Sequence, residues 1–155
     1  MELHSSSFEH GAPIPVRHTC DGADASPPLA WSGVSDDTKS LALIVDDPDA
    51  PDPKAPKRIW VHWVLYNIPP TVHELPEGGE QSPVPRGALV GLNDSGQPGY
   101  EGPCPPIGRH RYFHTLYALD AMLPDLGVRA TRKDLDAAMR GHILSTAQWM
   151  GTFER

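Results

Sequence analysis

Ile59-Trp60-Val61-His62-Trp63-Val64-Leu65-Tyr66-Asn67-Ile68, closed by Pro69-Pro70, is a run of aromatic and β-branched residues with one imidazole inside it. Such side chains suit a pleated, packed surface, and the proline pair ends the run, so it reads as a strand. By alternation His62 shares a face with Trp60 and Val64. Upstream, Ser40-Leu41-Ala42-Leu43-Ile44-Val45 is apolar on both alternating faces, as expected of a strand buried between two layers. Downstream, residues 109–119 form a third strand, with His110, Tyr112, His114, Leu116 and Ala118 on one face and Arg111, Phe113, Thr115, Tyr117 and Leu119 on the other.

The segments between these strands are rich in proline. The 155 residues contain 18 prolines, well above the average share of about 5%. Proline fits neither helix interiors nor central strands, so the composition argues for a mainly β domain with many loops. A single domain spanning residues 1–155 is expected, since two domains would each be undersized. Asp46-Asp47-Pro48-Asp49-Ala50-Pro51-Asp52-Pro53 reads as a loop, and residues 72–106 as a long stretch with little regular structure. Near the end, Thr131 and Asp134 approximate a capping box, and Leu135, Met139, Ile143 and Ala147 form the apolar stripe of a closing helix.

The net charge of −7, with no Lys/Arg run, excludes a nucleic-acid surface or an anionic membrane face, both of which need a concentrated basic patch. No apolar stretch approaches the ~20 residues of a membrane span, and the first residues lack a charged-then-apolar signal segment. The expectation is a soluble, cytoplasmic protein. Cys20 and Cys104 are too few for a disulfide scaffold and fit a reducing compartment, although one bridge stays open.

Polar residues at apolar places mark the candidate site. His62 interrupts a strand, and a satisfied core histidine weighs about equally with a ligand contact. Asp47 and Asp49 sit at the end of a buried strand, where a solvated turn is the simpler account of either alone. His110 and Tyr112 project from one strand face and supply two hydrogen-bond donors toward one point. Just before them, the glycines and prolines of Gly102-Pro103-Cys104-Pro105-Pro106 make a rigid loop whose few amides, such as that of Cys104, can be aimed at an acceptor.

Asp47-Pro48-Asp49-Ala50-Pro51, Trp60-Val61-His62-Trp63 and Gly102-Pro103-Cys104-Pro105-Pro106 followed by His110-Arg111-Tyr112 resemble the two signature regions of the phosphatidylethanolamine-binding protein family. Ser26-Pro27-Pro28-Leu29-Ala30-Trp31, Asn93-Asp94 and Gly141-His142-Ile143-Leu144 are similar to its bacterial, Raf kinase inhibitor-like branch. The resemblance implies a large central antiparallel sheet, a smaller flanking sheet and short helices including a C-terminal one. It also implies a pocket for phosphate, a phosphoryl head group or a carboxylate, with no cofactor and no metal. By motif position Asp47, His62, His110, Tyr112 and the Cys104 amide are the ligand-binding set, with Asp49, Pro51, Pro105, Pro106 and Arg111 in support.

Within that set, Asp47 is expected to orient a protonated histidine, and Arg111, on the opposite face from His110, to form a structural ion pair with Asp49. His110 and His114 stand roughly 13 Å apart at ~3.3 Å per residue, too far for one metal ion. His4, His10, His18 and His73 are assigned to the surface. No nucleophile elbow or phosphate-binding glycine loop is present, and the flanking prolines favour a structural Cys104 over a nucleophile. The alternative is an isomerase or hydrolase using the His/Asp/Tyr pocket on an anionic substrate. A regulated protein partner and a homodimer are left open.

Overall fold

The structure, a computed structural model, describes residues 1–78 and 84–155. The chain forms β1 (Glu2–His4), a 3₁₀ turn (Val16–His18), β2 (Leu29–Ser32), β3 (Ser40–Ala50), β4 (Arg58–Ile68), β5 (Glu74–Leu75), β6 (Leu89–Val90), β7 (Arg109–Leu119), α1 (Arg132–Met139) and β8 (Ile143–Glu154). A five-stranded sheet runs β6-β4-β3-β7-β8 and a three-stranded sheet runs β1-β2-β5, with every paired strand antiparallel. This is the mainly β, two-sheet architecture expected.

The double-sided apolar pattern of β3 follows from its central place. Leu41, Leu43 and Val45 join Trp63, Leu65, Leu116 and Ala118 against the small sheet, where Leu3, Leu29, Trp31 and Leu75 complete the cluster. On the other side Ala42 and Ile44 meet Val64, Tyr66 and Leu119 under Leu135 and Met139 of α1. Covering both faces of one sheet lets a domain of this size close its core.

Three expectations need correction. The first is Asp46–Ala50, which continues β3 instead of forming a loop, with register shifts at Val45/Asp46 and Asp47/Ala50. A bulge accommodates proline by leaving ladder positions unpaired. The same irregularity moves His62. Val45 pairs with Trp63 and Asp46 with Val61, so His62 is the extra residue, and Val61 and Val64 both face α1. His62 therefore does not share a face with Val64.

The second concerns the closing helix. Thr131 caps α1 in a true capping box, its hydroxyl accepting from the Asp134 N–H while the Asp134 carboxylate accepts from the Thr131 N–H at 3.0 Å. The helix ends at Met139, however, and Gly141 takes a φ of +83°. Ile143 and Ala147 belong to β8, which pairs along β7. A four-residue spacing is a multiple of the strand period as well as close to the helical one, so the stripe ran through two elements.

Third, Cys20 and Cys104 are joined in a disulfide across 84 residues of chain. The pairing removes the support that free thiols lent to a reducing compartment. Within residues 72–106, β5 and β6 are short strands, and part of that stretch lies outside the described residues. Among the described residues no helix is long and apolar enough to cross a membrane.

Candidate functional site

The ends of β3, β4 and β7 converge with the loop 101–106 around a cavity of about 390 Å³. Asp47, His62, Cys104, His110 and Tyr112 all line it, as do Pro51, Pro105 and Pro106, so the residues singled out in the sequence are brought together. Asp49 and Arg111 stand behind this lining.

Asp47 and His110 form a buried pair. His110 Nδ1 lies 2.6 Å from Asp47 Oδ2, and Asp47 Oδ1 accepts the Asp49 N–H at 2.7 Å. The other imidazole nitrogen, Nε2, lies 2.9 Å from the Ile107 carbonyl oxygen. Both ring nitrogens therefore face acceptor oxygens of the protein. Asp47 thus orients a histidine, but His110 spends both nitrogens on protein. The expectation of two donors aimed at one point holds for Tyr112 alone.

Tyr112 is 1% exposed and its hydroxyl has no hydrogen-bond partner among the described residues. Burial, followed by the nearby charge of Asp47, raises its pKa, so the phenol keeps its proton. A buried hydroxyl without a partner costs about 1–3 kcal/mol, which makes it an exception that calls for an explanation. His62 stands edge-on to it with ring centroids 5.3 Å apart. The bulged His62 is clamped to the loop from both sides: its Nδ1 lies 2.5 Å from the Glu101 carbonyl oxygen, and its own carbonyl accepts the Glu101 N–H at 3.0 Å. Burial lowers its pKa, so the ring is neutral and its Nε2 has no hydrogen-bond partner among the described residues.

Arg111 makes the expected ion pair with Asp49. Its Nε and Nη2 donate to the two carboxylate oxygens at 2.9 Å each, and its backbone N–H donates to Oδ2 at the same distance. The side-chain hydrogen bond from Arg111 holds the Asp49 pKa below the usual carboxylate range. The Ala50–Pro51 peptide is cis.

The sequence reading missed what holds the loop. Tyr100 is buried and donates to the His18 carbonyl at 2.7 Å; the Gly102 N–H donates to Asp24 Oδ1 at 2.9 Å, and the Cys20 N–H to the Pro103 carbonyl at 3.1 Å. With the disulfide, residues 18–24 form a brace behind the cavity wall. A Cβ at Gly102 would run into the His18 backbone carbonyl oxygen, which cannot swing aside as the Asp24 side chain can, so only glycine fits. His18 belongs to this brace, fully buried, and not to the surface. Its Nδ1 bonds to the Ala25 carbonyl at 2.9 Å, and burial lowers its pKa. The Cys104 N–H makes no hydrogen bond among the described residues, leaving it free as a donor. Lys57 and Arg58 also line the cavity; Arg58 lies over the Trp60 ring at 4.5 Å and pairs with Asp94 at 3.3 Å. Nothing in their spacing marked them out.

A family profile described as phosphatidylethanolamine-binding protein matches residues 4–154. The chain belongs to that family. It is 49% identical to a UPF0098 protein of Methanothermobacter thermautotrophicus over all of this chain and 99% of the relative, and 48% identical to one of Chlamydia pneumoniae with the same coverage. Among solved structures, the phosphatidylethanolamine-binding protein homolog of Chlamydia trachomatis superposes with a TM-score of 0.89 at 45% identity, covering 99% of this chain and 97% of that one. E. coli YbcL superposes with the same TM-score at 32% identity, covering 99% and 98%. The relatives include archaeal as well as bacterial proteins, so likeness to the bacterial branch does not fix the source.

Proposed function

We propose that this member of the family binds a small oxyanion, phosphate or a phosphoryl or carboxyl group, in the cavity between His62, Tyr112 and the Cys104 amide. The observation that carries the reading is the Tyr112 hydroxyl, buried without a partner among the described residues, on a side chain that lines the cavity. An acceptor oxygen from a ligand supplies the missing partner, and the Cys104 N–H is a second donor. The cavity, about 390 Å³, has room for more than the oxyanion itself, and Pro51, Trp60, Pro105 and Pro106 offer apolar contact to what is attached. A catalytic reading asks for an imidazole free to move a proton; His110 is committed at both nitrogens, which leaves His62 as the cavity imidazole for that role, while the Tyr112 hydroxyl supports binding.

Thermal unfolding in the presence of inorganic phosphate, phosphoethanolamine and acetate tests the reading. A ligand at a hundred times its Kd stabilises the folded state by about 2.7 kcal/mol, so a clear upward shift with at least one is expected. No shift with any oxyanion contradicts it.

A further inference from the structure

We infer that the Cys20–Cys104 bridge is a thiol-exchange site: a small monothiol joins Cys20 as a mixed disulfide, Cys104 is released as a thiolate, and that charge weakens the hold of the cavity on an oxyanion. The last step rests on the oxyanion reading above; the exchange itself does not.

Both cysteines are exposed, Cys20 between the 3₁₀ turn and β2 and Cys104 in the loop before β7, so the bridge lies where a dissolved thiol reaches it. Its two ends have unequal surroundings. Arg155 Nη1 lies 3.5 Å from Cys104 Sγ, and Asp21 holds that guanidinium in place, with Oδ2 3.3 Å from Nε and Oδ1 3.1 Å from Nη2. Asp21 Oδ1 is also 4.0 Å from Cys20 Sγ. A cation beside a sulfur favours its thiolate and a carboxylate opposes it, so Cys104 is the better leaving group and Cys20 the better carrier of the adduct.

In the exchange, the incoming thiolate bonds to Cys20 Sγ while the Cys20–Cys104 bond breaks and its electron pair goes to Cys104 Sγ. One negative charge enters and one remains, the proton of the monothiol having passed to water. Attack by Cys104 on the mixed disulfide expels the small thiolate and restores the bridge. Opening leaves the rest of the brace in place, because Tyr100 still bonds to His18, the Gly102 N–H to Asp24 and the Cys20 N–H to Pro103. Charge is what changes. The released sulfur belongs to the same residue as the amide that donates to the ligand in the oxyanion reading, and that residue lines the cavity, so a thiolate there repels the bound anion.

Brief exposure of the folded, oxidised protein to 2-mercaptoethanol, followed by iodoacetamide and peptide mass spectrometry, reads the direction of opening. The expected product carries mercaptoethanol on Cys20 and the alkyl group on Cys104, in severalfold excess over the reverse isomer. Excess of the reverse isomer, equal amounts of the two, or a bridge that does not open overturns the inference. Arg155→Met should slow the opening about two- to fivefold, the range an exposed charge pair gives; an unchanged rate means that the guanidinium does not direct the exchange and overturns its stated direction. For the cavity, phosphate affinity is compared by calorimetry at pH 9, where an ordinary thiol with a pKa of about 8.5 is mostly ionised, between Cys20→Ser and the double variant Cys20→Ser with Cys104→Ser. Both lack the bridge and only the first has the thiolate, so it should bind at least about threefold more weakly. Equal affinities overturn the link between exchange and oxyanion release. If either variant fails to fold, the adduct position and the Arg155→Met rate still decide whether the exchange site exists. Failure of the oxidised protein to bind phosphate, phosphoethanolamine and acetate defeats the oxyanion reading and leaves the exchange to be judged on the adduct alone.

Discussion

His110 Nδ1 and Asp47 Oδ2 are 2.6 Å apart in a place where neither side chain is more than 4% exposed, and the second imidazole nitrogen is held by the Ile107 carbonyl. The pair ties β7 to the bulged end of β3 and so fixes the floor of the cavity. Removing one member of a buried pair strands the other's charge, at a cost of about 3–5 kcal/mol. His110→Phe is therefore expected to destabilise the protein by about 3 kcal/mol in denaturant unfolding. Asp47→Asn should cost much less in the His110→Phe background than alone. Additive losses in the double-mutant cycle would mean that the two groups are not coupled.

The Asp49–Arg111 pair predicts an acid limb of stability. Arg111 depresses the Asp49 pKa in the folded state, so the folded protein binds fewer protons than the unfolded chain below about pH 4. The contribution is complete above the unfolded carboxylate pKa and fades as pH falls through the folded value. Arg111→Met should flatten that limb while leaving oxyanion affinity unchanged. Lost affinity with an intact fold would instead make Arg111 a ligand contact.

His114 sets a second window. Burial is the main cause that lowers its pKa to about 4, and a folded value below the unfolded ~6.5 means that the unfolded chain takes up the proton first. Stability is full above about pH 6.5 and declines toward pH 4, by roughly 3 kcal/mol from this residue. His18 and His62 shift in the same direction. Unfolding measured from pH 4 to 8 should show His114→Leu with a shallower slope, by close to one proton; an unchanged slope would place the proton uptake elsewhere.

Much of this was legible in the sequence because β-strand alternation and proline punctuation act locally. The three long strands, the convergence of Asp47, His62, His110 and Tyr112, and the pairing of Arg111 with Asp49 all follow from residues a few positions apart or from motif likeness. What was not legible depends on register or on distant chain. The bulge that frees His62 is set by how β3 meets β4, and the end of α1 by the backbone at Gly141. The brace of residues 18–24 has no local signature: Cys20 and Cys104, Tyr100 and His18, and Gly102 and Asp24 are joined only by the fold.

That brace makes its own prediction. A bridge closing 84 residues restricts the unfolded chain by an amount typically worth 2–4 kcal/mol, and Cys104 sits in the cavity wall. Cys20→Ser, or treatment with a thiol reductant, should lower the unfolding midpoint and weaken oxyanion binding together. A fall in stability with unaltered affinity would show that the remaining backbone contacts suffice to hold the loop.

If the Tyr112 hydroxyl is held for a ligand, Tyr112→Phe should affect stability and affinity in opposite directions. Stability without ligand and phosphate affinity would be measured side by side on wild type and variant. Removing an unsatisfied buried hydroxyl should raise the unliganded stability by about 1 kcal/mol, while phosphate affinity falls at least about tenfold. A variant that binds phosphate as tightly as wild type and gains no stability would mean that no ligand meets the Tyr112 hydroxyl.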